Sequence, residues 1–540
     1  MSEEKRLPKN IVVCADGTGN KGGYSPDSNV YKVYKTVDKN FKGKCHDNAE
    51  IEEQVLFYDN GVGTAKNKFL RAITGAFGFG FERNVCDLYK FIARSYEDGD
   101  RIYFFGFSRG ASTVRACNGM IAKCGLVKGK GLRNCELDER VEEAFKAYKE
   151  LTKSPELAKR FKEDKDRVTE NVPIQFLGVW DTVVALGFPK RTDITGPISF
   201  VLNMIFESLE FLADRACPHS FYYYKLTDNV KHACQALAID DERTAFWPFV
   251  WQEKNLKDTK DRTEDNVEQV WFAGMHSNVG GGYERAGMAG VPLYWMMKRA
   301  EHHGLMFTSD ALKDAHDASH VHGRMYNSRD GLALLYRYHP REMLKLCQYK
   351  DEGEYKDKLL GNIKIHHSVI DRIKHRTANY APGHIPASFD VVDDAIPAKS
   401  VHHNPGSSSA WLNIKRTIDK WVLWRKRLYN LFFVTVLGIF FSALYLWFTP
   451  PEEWGREGVW GSFANFLDYI SPDMFDGLIE VAIVQKPYLF LTTMALLFIY
   501  YVIRTIWYRR TLKACEQLRH KIIGEKLTNT NKAEGGDENE

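Results

Sequence analysis

DGDRIYFFGFSRGASTVRACNGMIAKCG, residues Asp98 to Gly125, is the stretch whose division decides the fold. Arg101 to Phe105 is a short apolar and aromatic run of strand type, bounded by the polar Asp98-Gly99-Asp100. Gly106-Phe107-Ser108-Arg109-Gly110 comes next, and Ala111 to Lys123 has helical character, closed by Gly125 in the usual C-terminal position. Strand, G-x-S-x-G and helix in that order form the context of a nucleophile elbow. A sharp turn strains the serine backbone and lifts its hydroxyl clear of the sheet, so the residues two before and two after must lack bulk. The alternative is a tight βα turn whose serine caps the helix.

Working outward, Asn10 to Ala15 reads as a buried first strand that runs into Asp16-Gly17-Thr18-Gly19-Asn20. Glycines in a strand-end loop let backbone N–H groups approach a ligand closely. The expected oxyanion donors are therefore Gly17 or Thr18, together with Arg109 just after the serine. A phosphate cradle competes, but the lysine it needs is absent, and a plain turn is the other reading. Val55 to Tyr58 is a second strand, Phe69 to Phe81 a Gly-rich wall or packed loop, and Glu82 to Tyr96 a helix. Leu137 to Arg167 is charged and helix-forming, a solvated face.

Val172 to Val179 is a continuous apolar strand of parallel-sheet type, ending at Trp180-Asp181-Thr182. An aspartate at the carboxyl end of a buried strand lies where α/β sheets place their sites, which makes Asp181 the candidate acid. Gly196 to Ala213 reads as a core or cap helix, and His232 to Arg243 as another helix. Asp240, Asp241 and Glu242 are expected to make ion pairs, with rival claims to the acid role. Val267 to Ala273 is read as the final strand, and His276 follows it in a loop loosened by Gly280, Gly281 and Gly282. Ser108, Asp181 and His276 then stand in the chain order of an α/β-hydrolase triad. The fold class is α/β: a mostly parallel, α/β-hydrolase-like sheet flanked by helices.

His316, His320 and His322 have spacing that could reach a metal, but a surface helix is the reading preferred, so neither metal nor cofactor is expected. The pairs His366-His367 and His402-His403 stay unassigned, because one helix or strand would point neighbours apart. With 540 residues the chain exceeds one typical domain, and a net charge of +4 without a dense basic stripe argues against nucleic acid. Ten scattered cysteines with no C-x-x-C suit free thiols in a reducing compartment. Residues 1–8 form a tail without a signal-peptide pattern, so the catalytic part is expected in the cytoplasm.

Beyond Pro397 the composition shifts. Residues 396–428 read as a linker with a basic amphipathic helix, Trp411 to Tyr429, suited to a membrane surface. Residues 429–449 and 488–508 read as two membrane spans, joined by an acidic loop at 450–487. Lys420, Arg425, Lys426 and Arg427 precede the first, while Arg509, Arg510 and Lys513 follow the second. The positive-inside rule places both termini and the 9–395 domain on the cytoplasmic side, with 509–540 as a tail.

DGTGN (Asp16 to Asn20), YDNGVGT (Tyr58 to Thr64), IYFFGFSRGAS (Ile102 to Ser112), GVWDTV (Gly178 to Val183), HACQALAIDDERTAFWP (His232 to Pro248) and VWFAGMHSNVGGGY (Val270 to Tyr283) occur in that order. HHSVIDR (His366 to Arg372) and YAPGHIP (Tyr380 to Pro386) extend the set. Together they resemble a bacterial and fungal family of α/β-hydrolase-like proteins, best known for phospholipase effectors of the type VI secretion system. The resemblance covers roughly residues 8 to 395. It implies Ser108 as nucleophile, Asp181 as acid and His276 as base, acting on a phospholipid or other acyl ester. Asn278 departs from the pattern, since an acid is commoner there. Two other classes remain open: a catalytically silent hydrolase-fold membrane scaffold or regulator, and a toxin or self-immunity role. The sequence is silent on oligomeric state.

Overall fold

The computed structural model describes residues 6–17, 19–20, 22–24, 26–61, 80–151, 154–183, 225–253, 266–349, 357–404, 409–447, 458–470 and 487–523. Within them a nine-stranded sheet is built from β1 (Asn10–Ala15), β2 (Gln54–Asp59), β3 (Arg101–Phe107), β4 (Ile174–Trp180), β5 (Val230–Ala238), β6 (Val267–Phe272), β7 (Lys364–His366), β8 (Phe389–Val392) and β9 (Ser400–His403). Their spatial order is β9-β8-β7-β6-β5-β4-β3-β1-β2. Every pairing is parallel except β8 with β9, which closes the edge antiparallel.

The alternation along β3 explains why its sequence shows no polar face. Ile102 and Phe104 join one core, with α2 (Phe81–Ser95), α3 (Arg109–Cys124) and α4 (Asn134–Lys149). Tyr103, Phe105 and Phe107 join the other, with α1 (Asn29–Thr36) and α7 (Gly287–His302). A strand covered on both faces must be apolar throughout. Chain order reverses at β1, flanked by β2 and β3, and α/β sheets open a crevice at such a switch point.

Three expectations change, and the helical reading after Leu137 holds and is divided in two. His232 to Ala238 lies in strand β5 rather than a helix. Its Ala, Gln and Leu favour helix weakly, and burial between two parallel neighbours outweighs that propensity. The strand ending at Phe272 is not the last, because β7, β8 and β9 follow; at three or four residues each they carry little periodic signal. The charged stretch after Leu137 is two helices, α4 and α5 (Pro155–Glu163), the second started by a proline at its first turn. His276 opens a five-residue helix, α6 (His276–Gly280), instead of lying in an open loop. The Gly196–Ala213 segment and nearly all of the Phe69–Phe81 wall fall outside the described residues.

At the C-terminal end, α9 (Ser409–Trp447) runs unbroken through the amphipathic segment into the apolar one, followed by α10 (Gly458–Ile470) and α11 (Pro487–Ile522). Helices α9 and α11 pack antiparallel, with Trp424 against Trp507 at 5.6 Å and Phe432 against Tyr500 at 4.4 Å between ring centres. Trp411, Ile418, Val422 and Leu518 are buried together with Ile365, Ile373 and Phe389, so the base of the pair docks on the β7–β8 side of the sheet. The apolar face of Trp411 to Tyr429 thus meets protein. Of the two expected spans, one helix among the described residues meets the length and composition needed to cross a membrane: Leu491–Ile522, whose apolar window is unburied.

Candidate active site

Strand register brings the candidate residues to one end of the sheet. Ala15 lies beside Gly106, Phe107 beside Trp180, and Trp180 beside Ala236, so Gly17, Ser108 and Asp181 leave adjacent strands at one level. The Ser108 N–H donates to the Trp180 carbonyl at 3.1 Å, and the Asp181 N–H to the Ala236 carbonyl at 2.8 Å.

Ser108 has φ 57° and ψ −122°, a conformation that costs a side-chain-bearing residue about 1–3 kcal/mol. Its side chain makes no capping bond to α3, which removes the helix-cap explanation. The elbow glycines are sterically required. A Cβ on Gly106 would lie 2.6 Å from the Ala111 Cα, and one on Gly110 would lie 2.1 Å from the Ala15 oxygen.

Asp181 is fully buried and also has positive φ, 43°. Its carboxylate meets His276 Nδ1 at 2.5 Å, so of the aspartates near this end it is the one that holds the imidazole. Its rivals are engaged otherwise: Asp241 pairs with Arg243 and accepts the His276 backbone N–H at 3.3 Å, and Asp240 accepts from Tyr380 and Gly274. Phe107 and Phe246 flank the imidazole at 4.6 and 5.0 Å between centres. His276 Nε2 is buried with no hydrogen-bond partner among the described residues, Ser108 included. Burial lowers the His276 pKa against the pull of Asp181, so the ring is neutral at pH 7.

The residue that sequence reasoning missed is Arg341. Its guanidinium grips Asp181 with two bonds of 2.6 and 2.7 Å and also donates to the Ala238 and Phe246 carbonyls. Burial alone would raise the Asp181 pKa; Arg341 and His276 outweigh it and hold the carboxylate ionised. The only sequence signal is the basic run Arg337 to Arg341, and nothing in it points across 160 residues to Asp181.

The first-strand loop is organised by buried Asp16, which accepts from Gly17 N–H (2.6 Å), Asn20, Ser28 and Tyr58. The Gly17 N–H is thereby committed, which removes it as an oxyanion donor in this conformation. The backbone still comes close: a Cβ on Gly17 would lie 3.1 Å from the Ser108 Cβ. Thr18 lies outside the described residues. Arg109 begins α3, its side chain buried and its pKa lowered to about 10 by desolvation. Asn278 ties the loop instead, accepting from Tyr326 N–H and donating to the Arg324 carbonyl. Among the described residues, His316, His320 and His322 form no metal-ligating group. The nine described cysteines are free.

Residues 9–299 match the model of the type VI secretion phospholipase effector Tle1-like catalytic domain. A curated relative, the uncharacterized protein YEL023C of Saccharomyces cerevisiae, is 32% identical over 201 residues, which cover 33% of this chain and 27% of that one. The match thus spans about a quarter of that relative's length. Two solved structures are also similar. The Tle1 effector bound to the VgrG spike of the type 6 secretion system has 16% identity and TM-score 0.28, with 52% of each chain covered. An uncharacterized protein from Pseudomonas aeruginosa has 14% identity and TM-score 0.33, with 84% of this chain and 61% of that one covered. With more than half of its residues inside the family model, the chain belongs to the Tle1-like phospholipase effector catalytic-domain family.

Proposed function

We propose that this chain is a membrane-anchored serine esterase that cleaves acyl esters of phospholipids through Ser108, His276 and Asp181. The observation that carries the reading is the 2.5 Å contact of Asp181 with His276 Nδ1, which leaves a buried Nε2 without a partner among the described residues, the ring lying 4.6 Å between centres from Phe107, the neighbour of Ser108. A carboxylate on Nδ1 fixes the proton there and makes Nε2 the base. Nε2 takes the Ser108 hydroxyl proton as Oγ attacks the ester carbonyl. The oxyanion is held by the Arg109 N–H at the start of α3 and by a donor from the loop after β1. His276 returns the proton to the leaving alkoxide, and water then hydrolyses the acyl-enzyme by the same relay.

The membrane part of the reading rests on α11 and on the apolar continuation of α9. Tyr488, Leu491, Met494, Phe498 and Ile499 on α11 are exposed, as are Leu431 and Val434 on α9. A stretch of some 20 helical residues is about 30 Å long, the thickness of a bilayer core. We assign a two-span anchor with the sheet domain on the cytoplasmic side, because the flanking basic residues lie at the docked end of the pair. Tethering brings the cleft to its lipid substrate.

Full-length wild type and Ser108→Ala are compared for fatty-acid release from phosphatidylcholine and phosphatidylglycerol vesicles. Release falling by about 10³-fold or more in the variant supports the triad; equal release from both discards it. Protease access to an N-terminal tag in sealed vesicles reads the orientation.

A further inference from the structure

We propose that His366, His367 and Asp394 form a binding site for a borderline divalent metal ion of the zinc type, separate from the hydrolytic cleft. The three residues come from different local structures. His366 ends β7, His367 begins α8 (His367–Lys374), and Asp394 lies two residues beyond β8. Strands β7 and β8 are paired in parallel with His366 opposite Val392, so their carboxyl ends are neighbours. Consecutive residues within one strand or one helix diverge. Here the boundary between strand and helix falls between the two histidines, and their rings converge to 4.4 Å between centres.

The donor atoms have the arrangement that a metal uses. His366 Nε2 is 3.2 Å from Asp394 Oδ1, and His367 Nε2 is 3.4 Å from Oδ2, with one donor atom of each residue within 4.8 Å of the others. A tetrahedral ion with bonds of about 2.0–2.1 Å separates its ligands by about 3.3 Å. The second nitrogen of each ring has its own partner. His367 Nδ1 meets the Asp371 carboxylate at 3.4 Å, while His366 Nδ1 lies 2.8 Å from Ser368 Oγ, to which it donates in the metal-bound form, and 3.4 Å from the Ser368 N–H, whose weaker contact that form gives up. Burial is graded: the His366 side chain is 0% exposed, Asp394 26% and His367 42%, so one side of the site opens to solvent for a water ligand. Arg299, a cation close to His366, is paired with both oxygens of Glu268. Phe272 stacks on His366 at 4.7 Å and walls the inner side.

His367 supplies the second argument. Both its nitrogens face carboxylates, Asp371 and Asp394, and carboxylates only accept. The ring thus turns one nitrogen toward the ion site at Asp394 while Asp371 holds the other. Two imidazoles and a carboxylate prefer zinc, cobalt or nickel to magnesium or calcium. The ion links the end of β7, the start of α8 and the segment after β8. These are the short strands beside the docked helix pair, so its role is to staple that edge. The site stands whether or not the hydrolase reading does.

The full chain in detergent, stripped with a chelator, is titrated with cobalt(II) and then with zinc. Wild type is expected to take up one equivalent with the visible absorption of four- or five-coordinate cobalt, bleached by zinc. His367→Ala and Asp394→Asn should lose that equivalent, and Asp371→Asn should bind about 10–100-fold more weakly. His402→Ala, an exposed histidine on the neighbouring edge strand, should bind as wild type does. Unchanged thermal melting of the metal-free variants shows that they fold. Equal uptake by wild type and His367→Ala overturns the site. So does a folded wild type that takes up neither cobalt nor zinc.

Discussion

Replacing Arg341 by methionine tests how the candidate acid is held. The change removes two hydrogen bonds of 2.6 and 2.7 Å from a carboxylate that is 0% exposed. What remains for Asp181 is the Ala238 N–H at 3.0 Å and the imidazole at 2.5 Å. Breaking a buried ion pair by deleting one partner costs about 3–5 kcal/mol. Activity should fall less than in a triad that has lost its acid, for which about 10⁴-fold is the benchmark. We expect about 10²-fold in kcat, or about 2.7 kcal/mol in the barrier, because two of the carboxylate's partners persist. KM should stay constant, since a fully buried Arg341 does not touch substrate. Without the cation the His276–Asp181 unit is protonated more easily, so the acid limb of the pH–rate profile should move to higher pH. Arg341→Lys restores the charge without the two-pronged geometry and should fall between. The assay is ester hydrolysis against pH, with thermal melting in parallel. A folded Arg341→Met protein with wild-type kcat and an unmoved acid limb would refute the positioning role.

The strain at Ser108 predicts that Ser108→Gly melts higher than Ser108→Ala by about 1–2 kcal/mol, less the chain entropy that glycine adds, while both lack activity; equal melting would remove the strain argument. Because burial lowers the His276 pKa, its neutral form persists below the ordinary value of 6.5. Activity should therefore be level through pH 7 and fall only beneath 6.5, and the stability that neutral His276 contributes is likewise lost as pH drops below that value; an acid limb centred above 7 would contradict the assignment. Gly110→Ala places a methyl group 2.1 Å from the Ala15 oxygen, so the fold should lose about 3 kcal/mol or more, read as a depressed melting temperature; an unaffected melt would refute the packing of the elbow on β1.

What could be read from the sequence follows from how local each constraint is. Gly106 and Gly110 are needed within four residues of each other, so the elbow is visible in the string itself. The buried strands β1, β3 and β4 are visible for the same reason, since parallel strands covered on both faces are apolar along their length. The Asp181 and His276 positions were legible as polar residues at strand ends. Strand β5 was not, because Ala, Cys and Gln carry no strand preference and only its neighbours decide it. Arg341 was invisible because its meaning is a contact across 160 residues. The convergence of His366 and His367 depends on a strand-to-helix boundary falling between them, and β7 is too short to announce it. The amphipathic face of α9 suited a membrane surface and an apolar protein surface equally well, and Ile365 and Phe389 cover it.

The central claim is that Ser108 is a nucleophile activated by His276. Its most direct measurement is labelling of the full chain by a fluorophosphonate probe, located by mass spectrometry, in wild type, His276→Ala and Ser108→Ala. The account predicts stoichiometric modification of Ser108 in wild type, slowed by orders of magnitude in His276→Ala and absent from Ser108→Ala. An unlabelled Ser108 in folded wild type, or labelling at the same rate without His276, would contradict it.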